Sequence, residues 1–458
     1  MKNTRIGLLP LYLELYDSCV PERRKYLERF ADTIADELTQ RGMEVCRGAV
    51  CRVASEFTQT IQSFESEDVC AIVTLHLAYS PSLESINALS QTRLPLIVLD
   101  TTPDFEFGPE QNDDKIMNNH GIHGVQDMCN LLIRNRKDFF IEAGHWKESD
   151  VLDRVARRAS AASMAHHFTN ARVGIAGTPF KGMGDFAVAF ETLKRLFGID
   201  VIQCPDSLPD PDTDSLDAEL KADLSAFAVG ESYTEEVHRK SVSAGLKLRA
   251  WIESENLSAF TMNFLDINKD SGMETVPFLE ASKAMERCIG YAGEGDILTA
   301  ALTGALLSAC PETTFTEMFC PDWKGNRIFM SHMGELNPAV SAGKPILEEK
   351  PFPFTDADNP IFAVSRLKAG DAVLVNLAPG PEETFRLIIV PLQVVDVKQD
   401  NMGTAQAGWL KPPVNINDFL AEYSCLGGTH HSALVYGNVA DDITAFGQFM
   451  GWETCVIE

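Results

Sequence analysis

The sequence predicts an α/β protein with two doubly wound α/β domains, followed by a C-terminal domain of antiparallel strands arranged as a sandwich or barrel. Two observations support this prediction. Up to about residue 312, short apolar runs alternate with amphipathic helical segments, as in βαβ units with a buried parallel sheet. Beyond that point strand-like segments follow one another, separated by Gly, Pro, Asp and Asn. We therefore predict domains over residues 1–168, 169–312 and 313–458.

The first domain opens with a βαβ series. Residues 5–13 have the composition of a strand, and apolar residues at helical spacing predict a helix from Pro21 to a stop at Gly42. Residues 69–77 and 94–100 are apolar runs of the kind found in buried parallel strands. The first strand-to-helix connection contains no Gly-x-Gly-x-x-Gly, so the pattern does not support dinucleotide binding.

The second domain repeats this alternation around a glycine-rich turn. Residues 173–176 form a predicted strand, GTPFKGMGD (177–185) is the turn, and a helix is predicted over residues 186–197. The backbone N–H groups of such a turn can bind an anion. No Gly-Lys-Ser/Thr follows, however, so the turn is not a nucleotide-binding loop of the Walker type.

Composition argues against several classes of partner. The chain has 458 residues and a net charge of −27, and this acidic surplus opposes binding to nucleic acid or to an anionic membrane. Eleven cysteines without a Cys-x-x-Cys pair predict free thiols in a reducing cytoplasm rather than a zinc site. The first residues lack the features of a signal peptide, and no apolar run is long enough to span a membrane. We expect a cytoplasmic protein.

Two glutamates stand out in the β-rich region. Glu317 lies in TTFTEMF and Glu335 in SHMGELNP, both strand-like and apolar, so burial is expected to raise their pKa unless a cation lies near. Together with His431 in GGTHHS they form a set of two carboxylates and one imidazole, which suits a divalent ion such as Mn²⁺. The alternative is that both are ordinary strand glutamates on a solvated face.

A second candidate set lies in the segment NNHGIHGV. Its density of Asn, His and Gly is typical of a loop, and a helix is predicted after it, over about residues 126–134. His120 and His123 stand near the start of this helix. Each can contact a ligand there, or can equally be a capping or surface group.

These motifs together resemble the L-arabinose isomerase family, within the arabinose/fucose isomerase group. The resemblance covers nearly the whole chain and includes NHGIHG, GTPFKGMGD, AFTMNF, YAGEGD, TTFTEMF, SHMGELNP and GGTHHS. The sequence is identified as a divergent member. The resemblance implies two α/β domains followed by a C-terminal antiparallel barrel. It also implies aldose–ketose isomerisation of a small sugar by a homo-oligomer whose active site is shared between subunits.

The resemblance further implies roles for single residues near the C-terminus. Glu317 and Glu335 match the two glutamates that bind Mn²⁺ and transfer the proton. His431 matches a metal-binding histidine, and we place its neighbour His430 among the catalytic residues.

Four other positions are implied to contact the sugar. His120 and His123 match positions that reach it from the N-terminal domain, although the family commonly has Gln at the first. Met183 and Tyr291 match apolar positions of the sugar pocket, and the second is usually Phe.

The chain departs from the family after the Lys-Pro-Ile-Leu step. The resemblance implies a second metal-binding histidine shortly after it, but the sequence reads KPILEEKPFPFTDADNP and places Lys350 there. The site therefore loses a ligand, recruits another such as Asp356 or Asp358, or is absent; alternatively, Lys350 replaces part of the charge of the metal. We predict that Mn²⁺ binds more weakly than is usual for the family, because an imidazole is missing and Lys350 repels a cation.

The resulting prediction is a sugar isomerase that interconverts an aldose and a ketose through an enediol or enediolate. A carboxylate near neutral pKa can remove the proton next to the carbonyl and return it one carbon away. Because the expected histidine is missing, we predict a non-standard or modified sugar rather than L-arabinose, for instance one whose anionic group contacts Lys350. The alternative is a catalytically impaired sugar-binding or regulatory protein on the same fold. The retained glutamates and histidine pair favour the enzyme.

Overall fold

The computed structural model describes residues 4–458, and these divide into two compact units. The first unit ends at Ser163 and the second spans Met164–Glu458. The three predicted domain boundaries are not tested by this division and stay predictions. Over the described range, no helix combines the length and the apolar character needed to cross a membrane. All eleven cysteines are free thiols.

The first unit is a parallel α/β sheet, as predicted. Its strands are β1 (Thr4–Leu11), β2 (Met43–Arg47), β3 (Ala71–His76), β4 (Leu96–Asp100) and β5 (Phe140–Ala143). Its helices are α1 (Glu14–Cys19), α2 (Pro21–Gln40), α3 (Ala54–Ser66), α4 (Ser82–Gln91), α5 (Ile116–Asn119) and α6 (Ile122–Arg134). Helix α2 begins at the predicted proline and ends just before Gly42, whose φ of 84° lies in the left-handed region that terminates a helix.

Neighbouring strands of this sheet lie in the order β2-β1-β3-β4-β5, and all four pairings are parallel. The order reverses between β1 and β3, which is where doubly wound sheets place their ligand crevice. Leu11 at the end of β1 is paired with His76 at the end of β3. His76 therefore lies at the carboxyl edge of the sheet, where the chain enters the loops.

The second unit begins inside helix α7 (Val151–Thr169), which contains the point of division. It continues with β6 (Arg172–Ala176), α8 (Phe190–Phe197), β7 (Asp200–Gln203), α9 (Thr213–Ala226), β8 (Ala228–Val229), α10 (Glu235–Ser254), β9 (Ala259–Met262), α11 (Phe278–Glu286), β10 (Gly290–Gly293) and α12 (Ile297–Ala309). Four of these strands form a parallel sheet in the order β10-β9-β6-β7. The predicted second α/β region is confirmed.

The helix after the glycine-rich turn starts later than predicted, at Phe190 rather than at residue 186. Two tertiary contacts account for the difference. The carboxylate of Asp185 accepts a hydrogen bond from the backbone N–H of His430, and the ring of Phe186 stacks on His431 at 5.0 Å. These contacts hold residues 185 and 186 against the barrel, so the helix forms only after them.

The rest of the second unit is a closed antiparallel barrel. The elements are β11 (Thr313–Asp322), β12 (Arg327–Ser331), β13 (Ile346–Glu349), β14 (Ile361–Val364), β15 (Gly370–Pro379), β16 (Phe385–Val394), β17 (Gly408–Lys411), α13 (Ile416–Cys425), β18 (His431–Tyr436), α14 (Ala440–Phe449) and β19 (Glu453–Val456). Six strands lie in the order β15-β18-β11-β12-β17-β16, and the pairing of β15 with β16 closes the ring. Strand β19 joins β16 from outside in parallel.

Two other strands of this region, β13 and β14, belong to a different sheet. Strand β14 pairs with β13, and β13 pairs with β8, in a separate three-stranded sheet. Leu347, Ile361 and Ala363 from this sheet pack with Phe227 and Leu279 in a small apolar cluster. Sequence pattern predicts a strand near residue 361, but only these contacts decide which sheet it joins.

Candidate active site

Two strand pairings place a carboxylate between histidines in the second unit. Glu317 on β11 is paired with His431 on β18 and, on its other side, with Ser331 on β12. Directly opposed residues of an antiparallel pair project to the same face of the sheet. His332 follows Ser331 where β12 ends. One carboxylate and one imidazole therefore come from two paired strands, and a second imidazole comes from the residue that follows the third strand.

His431 is fully buried and anchored by an aspartate. Its Nδ1 lies 3.0 Å from an Oδ of Asp296, which also caps α12 by accepting the N–H of Thr299 at 2.9 Å. Its Nε2 makes no aligned hydrogen bond to any described residue, and a Glu294 oxygen lies 3.5 Å away. Burial acts to lower the pKa of His431, but Asp296 and Glu294 raise it to about 9. A metal ion that binds this nitrogen would have to displace a proton.

Glu294 sits on strained backbone beside this histidine. Its φ of 64° lies in the left-handed region, which residues other than Gly rarely adopt. Residues with such strained backbone are found most often at functional sites. The residue is 4% exposed. Burial acts to raise the pKa of Glu294, but His430 and His431 lower it to about 2. Glu294 is therefore an ionised carboxylate inside the site.

His332 is anchored in a similar way by Glu335. Its Nδ1 lies 2.9 Å from Oε2 of Glu335, and that oxygen also accepts the N–H of Gly334 at 2.8 Å. The other oxygen of Glu335 accepts a hydrogen bond from the Tyr291 hydroxyl. Burial acts to raise the pKa of Glu335, but His332, Tyr291 and Gly334 hold it below its usual value. Nε2 of His332 is buried and has no hydrogen-bond partner within residues 4–458.

Glu317 differs from Glu335 in both exposure and contacts. Its side chain is 17% exposed, and no described residue donates a hydrogen bond to its carboxylate. Burial raises the pKa of Glu317, partly offset by His332, His431 and His430. The two glutamates are alike in sequence context, but only Glu317 presents a carboxylate that is free to react.

His430 lies at the accessible side of the site. Its Nδ1 is 2.6 Å from Oδ2 of Asp185, and its Nε2 lies 4.0 Å from both Glu294 and Glu317. Its side chain is 30% exposed, in contrast to the buried His431. Burial acts to lower the pKa of His430, but Glu294 and Asp185 raise it.

Among the described residues, two groups of side chains can each offer a metal ion three ligand atoms within 4.8 Å of one another. They are Glu317, His332 and His431, and Glu294, His430 and His431. In the first group both Nε2 atoms are buried without a hydrogen-bond partner in the described part of the chain, while each Nδ1 is held by a carboxylate. This is the arrangement in which an outer carboxylate orients a metal-binding imidazole. The side chains therefore fit a divalent ion.

Some residues predicted to bind the metal or the sugar lie outside these two groups. Glu335 belongs to neither group of three, because it holds His332 from behind. Tyr291 contacts Glu335 through its hydroxyl, and Met183 lies half-buried in the glycine-rich turn two residues before Asp185. The predicted roles of these residues as metal ligands or sugar contacts stay predictions.

Lys350 follows β13 and is half-buried. Its Nζ lies 5.2 Å from the ring centre of Phe362, and none of the carboxylates in residues 4–458 forms an ion pair with it. Burial lowers the pKa of Lys350, with Glu335 opposing the shift. The aspartates considered as replacement ligands are engaged elsewhere. Asp356 accepts the N–H of Lys269, and Asp358 forms an ion pair with a lysine on α10 at 2.8 Å.

His120 and His123 lie in the first unit, around the start of α6. The Tyr16 hydroxyl lies 3.0 Å from Nε2 of His120, and the two histidine rings are 5.8 Å apart. His120 is partly buried and His123 is exposed. Their predicted contact with a sugar held by another subunit stays a prediction.

Four residues of the site were not singled out from the sequence. They are Asp185, Glu294, Asp296 and His332. Each lies inside a motif used for the resemblance, namely GTPFKGMGD, YAGEGD or SHMGELNP. Each of these motifs contains an acidic residue or a histidine besides the residue selected from it, and this could have indicated the four residues.

Comparison with known proteins covers nearly the whole chain. The N-terminal, central and C-terminal domain models of L-arabinose isomerase match residues 16–170, 182–310 and 312–453. An L-arabinose isomerase of Herpetosiphon aurantiacus is 26% identical, over 96% of this chain and 91% of the relative. L-arabinose isomerase 2 of Bacillus licheniformis is 26% identical over 86% of this chain and 85% of the relative. The chain therefore belongs to the L-arabinose isomerase family, a family of aldose–ketose isomerases, as a divergent member.

Proposed function

We propose that this protein is a metal-dependent aldose–ketose isomerase in which Glu317 transfers the proton between carbon atoms. The observation that supports this most directly is that the carboxylate of Glu317 has no hydrogen-bond donor among the described residues but lies close to two imidazoles. It lies within 4.8 Å of nitrogens on His332 and His431. A carboxylate in such a place can bind an ion with one oxygen and exchange a proton through the other.

The isomerisation moves a carbonyl by one carbon and needs no external oxidant. Glu317 takes the proton from C2 of the aldose, the C2–H electron pair forms the C1–C2 double bond, and the carbonyl π pair moves to O1. A proton then moves from O2 to O1. Protonated Glu317 returns its proton to C1, and the O2 electron pair forms the ketose carbonyl. Because burial raises the pKa of Glu317, the carboxyl group is better matched to accepting and returning a proton.

His430 is placed to move the hydroxyl proton. Its Nε2 lies 4.0 Å from Glu317 and its side chain is partly exposed, so a bound sugar can reach it. Asp185 holds the opposite ring nitrogen at 2.6 Å and thereby fixes the orientation of the ring. In this proposal His430 carries the proton that passes between O2 and O1.

A divalent ion, for which Mn²⁺ is our proposal, would be held by Glu317, His332 and His431. It would stabilise the negative charge that develops on the sugar oxygens. His332 supplies a second imidazole beside His431, in a chain that lacks the histidine implied after Lys-Pro-Ile-Leu. A mixed nitrogen and oxygen donor set is compatible with Mn²⁺, although Mn²⁺ stands at the weak end of the divalent affinity series.

Turnover of a sugar panel, with and without added Mn²⁺, tests this function. Glu317→Gln keeps the size of the side chain and removes the base, so ketose formation should fall at least about a hundredfold. The matched control is Glu312→Gln, which removes an exposed carboxylate paired with Lys368 and should leave turnover unchanged. Near-normal turnover of Glu317→Gln would refute the assignment. Sugar binding without any ketose formation by the parent would instead indicate the sugar-binding or regulatory alternative.

The substrate we propose is a sugar with an anionic group that contacts Lys350. This rests on the half-buried ammonium of Lys350. Glu335 acts on its charge, but Lys350 forms no ion pair within the described range, although acidic residues outnumber basic ones in the chain, 66 to 39. Lys350→Met keeps the apolar stem and removes the charge. It should reduce kcat/KM for phosphorylated or carboxylated sugars and leave neutral sugars unaffected. Equal loss on both classes, or no loss on either, would contradict this choice of substrate.

The quaternary arrangement and compartment in our proposal follow from the family. A cytoplasmic homo-oligomer would bring His120 and His123 of one subunit to the sugar bound beside Glu317 of a neighbour. The eleven free thiols agree with a reducing compartment.

A further inference from the structure

Three buried groups are joined in a row behind the site. The Tyr291 hydroxyl donates to Oε1 of Glu335, and His332 Nδ1 lies 2.9 Å from Oε2 of the same carboxylate. The N–H of Gly334 also donates to Oε2, at 2.8 Å. Tyr291, Glu335 and His332 are 1%, 2% and 4% exposed. Water therefore does not compete for these hydrogen bonds.

The row limits what Glu335 can do. A metal ligand must offer an oxygen lone pair to the ion, and an acid–base group must exchange a proton with the sugar. Both oxygens of Glu335 already accept hydrogen bonds from inside the protein. Protonation or ion binding at Oε2, which already accepts two of these bonds, would leave Nδ1 of His332 or the N–H of Gly334 without its partner, which is costly. Glu317, which accepts no hydrogen bond from the described residues, carries no such cost.

The row also determines how His332 is presented. In the neutral ring, donation of the Nδ1 proton to Glu335 leaves the lone pair on Nε2, which is buried and has no hydrogen-bond partner among the described residues. The ring of Phe315 packs edge-on against the imidazole at 4.8 Å. A Cβ at Gly293 would overlap the imidazole, so that backbone approaches the ring closely. Rotation of His332 out of this position is therefore blocked on two sides.

We propose that Tyr291 and Glu335 are positioning residues that fix the tautomer and orientation of His332, so that His332 can bind the catalytic ion. This inference rests on the proposed function. It assigns to Tyr291 a polar role through its hydroxyl, in place of the apolar sugar contact predicted from the sequence.

The first test is Tyr291→Phe, which removes the hydroxyl and keeps the ring. The matched control is Tyr436→Phe, which also removes a buried hydroxyl hydrogen bond, to the carbonyl of Lys368 at 2.6 Å, at the far end of β18. Calorimetric Mn²⁺ titration should show affinity about tenfold to a hundredfold weaker in Tyr291→Phe, the usual cost of losing an outer partner of a metal ligand. The Tyr436→Phe protein should bind Mn²⁺ like the parent. At saturating Mn²⁺, kcat of Tyr291→Phe should recover to near the parent value.

A second measurement does not depend on activity or on a metal. Nitrogen-15 NMR of histidine-labelled, metal-free protein reports the tautomer of His332, with His332→Gln used to assign its signals. The parent should show the Nδ1–H form, Tyr291→Phe should shift the signals or mix the tautomers, and Tyr436→Phe should not. Tyr291→Phe with parental Mn²⁺ affinity and an unchanged His332 spectrum would overturn the inference while leaving the isomerase proposal intact. A parent protein that binds no Mn²⁺ and forms no ketose would overturn the metal role of His332 together with the proposed function.

Discussion

His76 should make the first unit sensitive to mild acid. The side chain is 3% exposed, and neither ring nitrogen has a hydrogen-bond partner among the described residues. A Cβ added at Gly124 would overlap the ring, so α6 covers it closely. Burial lowers the pKa of His76 to about 3, and the charge of Asp127 opposes this shift. Burial separates an imidazolium at this place from bulk solvent, and the carboxylate of Asp127 offsets only part of that cost.

The size of the effect follows from the two pKa values. His76 binds a proton with a pKa of 6.5 in the unfolded chain and with a pKa of about 3 in the folded unit. Its neutral form therefore contributes its full share to the stability of the folded unit above pH 6.5. The stabilisation is lost as pH falls from 6.5 toward 3. Between pH 7 and pH 5, proton binding by the unfolded state should reduce the free energy of unfolding by about 2 kcal/mol.

The assay is native-state hydrogen exchange read by mass spectrometry on peptides from β1 and β3, at pH 7 and pH 5. Exchange localises the free energy of opening to this unit, which bulk unfolding of a chain with two units does not. The variant is His76→Gln, whose amide has similar size and does not titrate. Parent peptides should lose about 2 kcal/mol more protection than variant peptides over this pH range.

Peptides from β6 in the second unit provide the internal control, since they should respond equally to pH in both proteins. If β1 and β3 lose the same protection in parent and His76→Gln, the buried imidazole is not the source of acid sensitivity. A water molecule or a carboxylate must then stabilise the charged ring in the folded state.

Three other predictions concern assembly, the metal and packing. Mixed refolding of Glu317→Gln and His123→Ala subunits should restore part of the activity that each variant lacks, because one intact shared site forms in mixed oligomers; no recovery would place both residues in one subunit. Lys350→Ala should bind Mn²⁺ roughly twofold to tenfold more tightly than the parent by calorimetry, because a nearby positive charge is removed, and weaker binding would contradict this. Gly174→Ala should destabilise the second unit by about 1–3 kcal/mol in thermal unfolding, because the new Cβ would overlap Trp251, whereas Gly343→Ala has open space and should be near neutral.

Periodicity in the sequence was sufficient for the fold class and for most elements. Apolar runs at 69–77 and 94–100 became β3 and β4 with ends shifted by at most two residues. Short runs rich in Val, Ile and Leu are typical of parallel strands buried on both faces, so local composition and its surroundings agree. The consecutive strands after residue 312 similarly indicated an antiparallel sheet, which closes as a barrel.

Tertiary contacts determine the start of α8 and the pairing of β14, which the sequence pattern did not predict. Residues 186–189 are suited to a helix, but Asp185 and Phe186 are held by the histidine pair, and α8 starts only at Phe190. Strand β14 was recognisable as a strand, yet its partner is β13 rather than a barrel strand. Pairing depends on which surfaces pack together, and that information is not local.

At the candidate active site, the sequence identified the residues, whereas tertiary packing determined what each of them can do. Sequence motifs were enough to select Glu317, Glu335 and His431, but they leave the two glutamates equivalent. Tyr291 lies 44 residues before Glu335 in the chain and still donates to its carboxylate, while Glu317 accepts no hydrogen bond from the described residues. What a carboxylate can do depends on which donors reach it and on how far water is excluded. Both are set by the approach of β10, β11 and β12 in the folded unit, because packing, not sequence proximity, brings those strands together.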